Sequence, residues 1–186
     1  MNTHRNTFAR SLHDIGLAAW FGGSLMGAVG VNRSAAAAAR NKDTTSVAGA
    51  GWSAWTPVNL AAIGAYMIGG AELTLENKGR LVAQRGVGST ALAKAALTAV
   101  ALGATGYSRL IGQRVIAAEG TPAQDGTTPA QGTEPDVAAV QRQLAVLQWV
   151  IPAATGGLIV LSALMGEQQR SSQVAGGVVH RLADHM

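Results

Sequence analysis

A chain of 186 residues allows one domain with room for an inserted loop. Only 13% of its residues are Asp, Glu, Lys or Arg, while 48% are hydrophobic; soluble domains carry about 25% charge, so this chain has too little to coat a water-facing surface. The lack of cysteine excludes disulfides and thiolate metal sites, and a net charge of +4, placed beside apolar segments rather than in one patch, argues against a nucleic-acid partner.

The first apolar segment spans residues 12–31 and is free of charge from Ile15 to Val31. Arg5 and Arg10 precede it as they would a signal peptide, and Ala35 to Ala39 imitate a cleavage site. The apolar stretch is longer than the roughly 7–15 residues of a signal core, which favours a membrane span. At about 100° per residue, His13, Gly16, Trp20, Gly23, Ser24, Gly27 and Gly30 share one helix side, and Ile15, Ala18, Phe21, Leu25 and Val29 the other. The first side is expected to pack inward, with Gly16, Gly23, Gly27 and Gly30 as close-approach points, and the second to face lipid.

The second segment covers 55–75, has no charge from Thr56 to Ala71, and carries Pro57 in its expected first turn, where a missing N–H costs little. The third covers 89–111 and is rich in Ala and Gly. Lys94, Thr98, Thr105 and Ser108 lie along one of its faces, with Arg109 at the edge. Threonine hydroxyls can bond to their own helix carbonyls, whereas an ammonium inside a span is costly. Lys94 is left with three readings: snorkelling to the interface, an ion pair, or a binding or transport role. Glu72 closes the second segment at the depth where Lys94 opens the third, so a Glu72–Lys94 pair is expected. His13 and Asp14 enter at the same level, which makes His13, Asp14, Glu72 and Lys94 a candidate polar cluster.

Residues 119–136 are Pro-, Gly- and Thr-rich and hold the near-repeat TPAQDG and TPAQGT. With so little apolar surface to bury, they predict a disordered loop. The fourth segment covers 144–166 and contains Pro152 and Gly156-Gly157. The tail, 167–186, is polar. Each apolar segment is near the roughly 20 residues that span a bilayer. The fold expected is therefore an all-α integral membrane bundle of four transmembrane helices. A soluble bundle is the competing reading, but it requires charged outer faces that the first, second and fourth segments lack. The Lys and Arg bias, together with Trp52, Trp55, Tyr107 and Trp149 near one boundary, places both termini in the cytoplasm, the 119–136 loop outside and the tail inside.

Leu12-His13 followed by Trp20-Phe21-Gly22-Gly23 resembles the first helix of several bacterial, actinobacterial-like multi-pass membrane families, copper-resistance D-type proteins among them. There Leu-His precedes small apolar residues and then Trp-x-Gly-Gly. The resemblance implies a helical fold in the bacterial plasma membrane and a buried histidine on the first helix. It does not bring a copper function with it, because no second intramembrane histidine is present and Met26 and Met67 are isolated. No phosphate loop, metal motif or nucleophile elbow occurs, so no catalytic residue, cofactor or metal is expected. Two functions remain. One is a non-catalytic protein acting by helix association, as a homo-oligomer or an accessory subunit of a membrane partner. The alternative is a small transporter or channel with a polar path along the third helix.

Overall fold

The computed structural model describes residues 7–38, 40, 43–76, 78, 87–118 and 120–167; the tail beyond Glu167 lies outside them. Among the described residues the protein is all-helical, with one isolated bridge, Ala123 to Pro129, in place of any strand. Four long helices account for the fold. Helix α1 runs unbroken over Thr7–Ala37, α-helical through Met26 and then opening into a π-turn at Gly27–Val31. Helices α2, α3 and α4 cover Thr44–Glu76, Val87–Ala117 and Pro135–Glu167. Of these, α1, α2 and α4 are long and apolar enough to cross a membrane. Lys94 and the many Ala, Gly and Thr residues leave α3 outside that set.

All four helices are longer than the apolar segments in them, because polar residues at either end continue the helical hydrogen bonding. One expectation changes as a result. Since α2 begins at Thr44, Pro57 sits in the helix interior and not in its first turn, where its ring removes one i→i−4 bond. Pro135 does open α4, with Asp136 in the first turn facing the positive end of the helix dipole.

The helices pack as two antiparallel hairpins, α1 on α2 and α3 on α4, joined mainly by α1 against α4. Helices α2 and α3 touch sparingly. Small residues explain the tight first hairpin. The backbone of Ala62 and Tyr66 lies against Gly16, the backbone of Ala9 and His13 lies against Gly69, and the Trp55 and Trp52 rings cover Gly23 and Gly27. Small residues at such positions let two helix backbones approach closely. Gly30 does not join the set, for the only side chain near it is that of Met26, on its own helix. At the centre, Leu17, Trp20, Tyr66, Ala101, Ala104, Ile151, Ala154 and Leu158 form one apolar core, and Ile111, Val115 and Val140 extend it between α3 and α4.

The expectation of disorder over 119–136 is not met across 120–135. The Asp125 carboxylate accepts from the Thr127 backbone at 2.7 Å and from the Thr128 hydroxyl at 2.9 Å. Thr133 Oγ1 donates to the Pro122 carbonyl at 2.6 Å. Gly126 N–H donates to the Asn32 carbonyl at 3.0 Å, so the turn seats on the end of α1. Composition measured the missing apolar surface correctly, but it could not register that Asp and Thr side chains tie the turn to itself and to the bundle.

Candidate functional site

Polar side chains gather at two levels of the bundle. At the His13 end, the imidazole is 2% exposed. Its Nδ1 lies 2.7 Å from Asp14 Oδ1, and its Nε2 lies 2.8 Å from Lys94 Nζ. An ammonium can only donate, so Nε2 accepts, and the ring proton sits on Nδ1, where it is donated to the carboxylate. Asp14 is 58% exposed, so a line of hydrogen bonds leads inward from a solvent-reached carboxylate through a neutral imidazole to Lys94. The Tyr66 ring closes this group. Its centroid is 4.8 Å from that of His13 and 5.8 Å from Lys94 Nζ, which places the ammonium against a π-face. Tyr66 Oη shares a 2.7 Å hydrogen bond with Thr98 Oγ1.

Of the four residues expected to cluster, the structure thus brings together His13, Asp14 and Lys94. The expected Glu72–Lys94 pair does not form: Glu72 is exposed, and Lys94 turns to His13. The reason is topological. Helix α2 hardly meets α3, and the long Lys94 side chain reaches across to His13 on α1 instead.

This arrangement makes a quantitative prediction. Removing either partner of the His13–Lys94 bond strands the other in a poorly solvated place, a cost of about 1–3 kcal/mol. His13→Phe and Lys94→Met should each destabilise by that order, and the double variant by clearly less than their sum. The check is unfolding in detergent followed by circular dichroism; additive losses would mean that the two side chains do not interact.

Farther along α3, Trp20 Nε1 donates to Thr105 Oγ1 at 3.2 Å. Ser108 Oγ is buried with no hydrogen-bond partner. Arg109 is exposed, and once the Gln113 amide is turned to face it, its guanidinium donates to that oxygen at 3.0 Å. The stripe Thr98, Thr105, Ser108 and Arg109 is therefore not one continuous path. Its first two members are tied to α2 and α1.

The second polar level, at the loop end, was not anticipated. Asn32 is 3% exposed and stands between two helices. Its Nδ2 donates to Gln148 Oε1 at 2.8 Å, and its Oδ1 accepts from Trp52 Nε1 at 2.8 Å. Gln148 Nε2 in turn reaches Thr127 Oγ1 in the loop at 3.4 Å. Charge-based reading passes over such residues, yet an Asn or Gln inside or just beyond an apolar run was the available signal, since buried amides require partners. Between these levels, on the α2–α3 side, lies a cavity of about 440 Å³. No group of three or more His, Cys, Asp or Glu side chains suited to a metal occurs among the described residues.

Comparison with protein-family models, with curated proteins and with solved structures finds no match.

Proposed function

We propose that the protein is a four-span membrane protein of the bacterial plasma membrane, with both termini cytoplasmic, that acts non-catalytically by lateral association through α3. In this reading α3 crosses with the other three helices. It is 31 residues long, beyond the roughly 20 a span needs, and it packs along α4. Its one interior ammonium is held by His13 and Tyr66 rather than facing lipid.

The observation that carries the reading is the outward face of α3. Leu92, Ala96, Ala99, Gly103 and Leu110 fall within about 60° of one another on the helix, and all are exposed. The two leucines are 72% and 71% exposed, and a Cβ added at Gly103 would meet nothing within 4 Å. Helix α1 uses its own small residues inside the bundle; this second small face, flanked by leucines, is left for another helix. A second copy is the simplest occupant, because an isologous contact about α3 brings each residue of the face near its twin. The alternative, a transported solute following α3, is less well supported, since Thr98, Thr105 and Lys94 are all engaged within the bundle.

The chain has no cysteine of its own, so a single introduced thiol reports cleanly. Ala99→Cys is expected to form a disulfide-linked dimer in native membranes under mild oxidation, whereas Val160→Cys, on the exposed side of α4, is not. A stoichiometric link to a different protein would support an accessory subunit. Equal linking at both positions, or none at Ala99→Cys, would sink the association reading.

A further inference from the structure

The cavity between α2 and α3 has a chemistry that packing of this chain does not explain. Its wall is mainly apolar, built from Trp20, Trp52, Trp55, Leu60, Leu110 and Ile151 among others. Its volume of about 440 Å³ lies within the roughly 300–1,000 Å³ of small-molecule pockets. Two residues of that wall carry polar atoms that are buried and lack any partner, Asn59 Oδ1 and Ser108 Oγ. Arg109 stands beside them on the same wall, and among the described residues no carboxylate pairs with it. Two unmet hydrogen-bonding groups and a cation with no carboxylate partner among the described residues thus line one apolar chamber. The two buried groups, on Asn59 and Ser108, are costly to leave unmatched where water is scarce.

The geometry also indicates the side of entry. Gly126 and Thr127 of the loop line the cavity at its loop end, and α1 and α4 back it. The sparse contact between α2 and α3 leaves the lateral side as the gap. In a bilayer that gap faces acyl chains.

We propose that this cavity binds an acidic single-chain amphiphile of the fatty-acid class. The carboxylate sits at Arg109, Ser108 and Asn59, and the chain lies against the tryptophan and leucine walls toward the α2–α3 gap. Arg109 supplies charge-assisted N–H donors to the carboxylate. Ser108 donates its hydroxyl proton. The Asn59 amide can present either its oxygen or its NH₂ by a half-turn about its last torsion, and so meets a carboxylate oxygen as a donor. A neutral lipid of equal length fills the apolar wall but leaves all three groups unmatched, so the head group decides the selectivity.

Three of the four tryptophans line the cavity, which makes quenching a direct readout. Brominated stearate, titrated into the full-length protein in neutral detergent, is expected to quench tryptophan emission saturably. Its methyl ester and brominated phosphatidylcholine should give only weak, non-saturating quenching. Arg109→Gln should weaken stearate binding about tenfold or more, the loss of one hydrogen-bonded charge, while Arg109→Lys retains most of the affinity. Gly106 lines the cavity, and a Cβ added there meets nothing within 4 Å; Gly106→Leu should therefore take up cavity space and abolish saturable quenching with the helical spectrum unchanged. Equal affinity for acid and methyl ester would overturn the assignment of the head group. Quenching by phosphatidylcholine as strong as by stearate, or indifferent to Gly106→Leu, would overturn the site itself. The two readings can fail separately: of the association face only Leu110 also lines the cavity, while Ala99 and Gly103 do not, and the Ala99→Cys crosslink is read without any added amphiphile.

Discussion

Gly16→Ala and Gly69→Ala are each expected to cost the bundle much of its stability, while Gly22→Ala leaves it unchanged or slightly firmer. A methyl group at Gly16 would stand 2.5 Å from the Ala62 carbonyl oxygen and 2.5 Å from the Tyr66 backbone nitrogen. At Gly69 it would collide with the Ala9 carbonyl and the His13 backbone nitrogen. These are main-chain atoms of a neighbouring helix and cannot rotate aside, so α1 and α2 must separate. Overpacking of a core typically costs about 1–3 kcal/mol and at times more. Against that stands a gain of at most about 1 kcal/mol from exchanging Gly for Ala inside a helix. At Gly22 nothing lies within 4 Å of the added carbon, so only the gain remains. Separation at Gly16 would also lift the tryptophan rings off Gly23 and Gly27, so the loss is not confined to one contact. The measurement is the sodium dodecyl sulfate concentration at half-unfolding, read by circular dichroism. A Gly16→Ala protein as resistant as wild type would show that α1 and α2 do not approach as closely as described.

Trp20→Ala is expected to be the most damaging single truncation in the core, at about 3–5 kcal/mol. Trp20 is fully buried and belongs to the central apolar cluster. It packs 5.9 Å from the Tyr66 ring between centroids and donates to Thr105 on α3. Its removal therefore empties a space among α1, α2 and α3 and cuts a link between the two hairpins. Trp20→Phe keeps much of the ring and loses the donor, so its cost should be nearer the 0.5–1.5 kcal/mol or so of one hydrogen bond, with some added for lost volume. The pair of variants separates packing from hydrogen bonding in the same unfolding assay. A Trp20→Ala loss no larger than that of Trp20→Phe would mean that the indole is not a packed element.

Helical periodicity identified much of this architecture because it reports on each helix alone. It placed His13, Gly16, Trp20, Gly23 and Gly27 on one side of α1, and those residues do face neighbouring helices. It separated His13, which is buried, from Asp14, which is not. It could not report which helix meets which. The Glu72–Lys94 pairing assumed that helices adjacent in sequence are adjacent in space, and the bundle instead joins its hairpins mainly through α1 and α4, with Lys94 reaching His13 by its side chain. Lys94 was recognisable as a residue needing a partner; the partner depended on a packing order that no single helix encodes. Asn32 and Gln148 escaped for another reason. Attention to ionised groups ranks uncharged amides low, although a buried amide also requires matched donors and acceptors. The loop over 120–135 escaped because its order comes from a few specific bonds at Asp125, Gly126 and Thr133, to which an average over composition is blind.

The widened turn at Gly27–Val31 has a consequence for how this end of the molecule tolerates insertions and deletions. A turn of this kind holds one residue more than its α-helical counterpart. Excising one residue from it would restore ordinary winding and leave the later side chains of α1 near their present directions, whereas an excision from the α-helical part, Thr7–Met26, would swing every later side chain by about 100° relative to those before the cut. In the second case Asn32 would leave Trp52, Gln148 and the Gly126 amide in one movement, and the loop would lose its seat. The loop end of the protein is thus set by residue count as much as by residue identity, and the widened turn is where α1 best tolerates losing one residue.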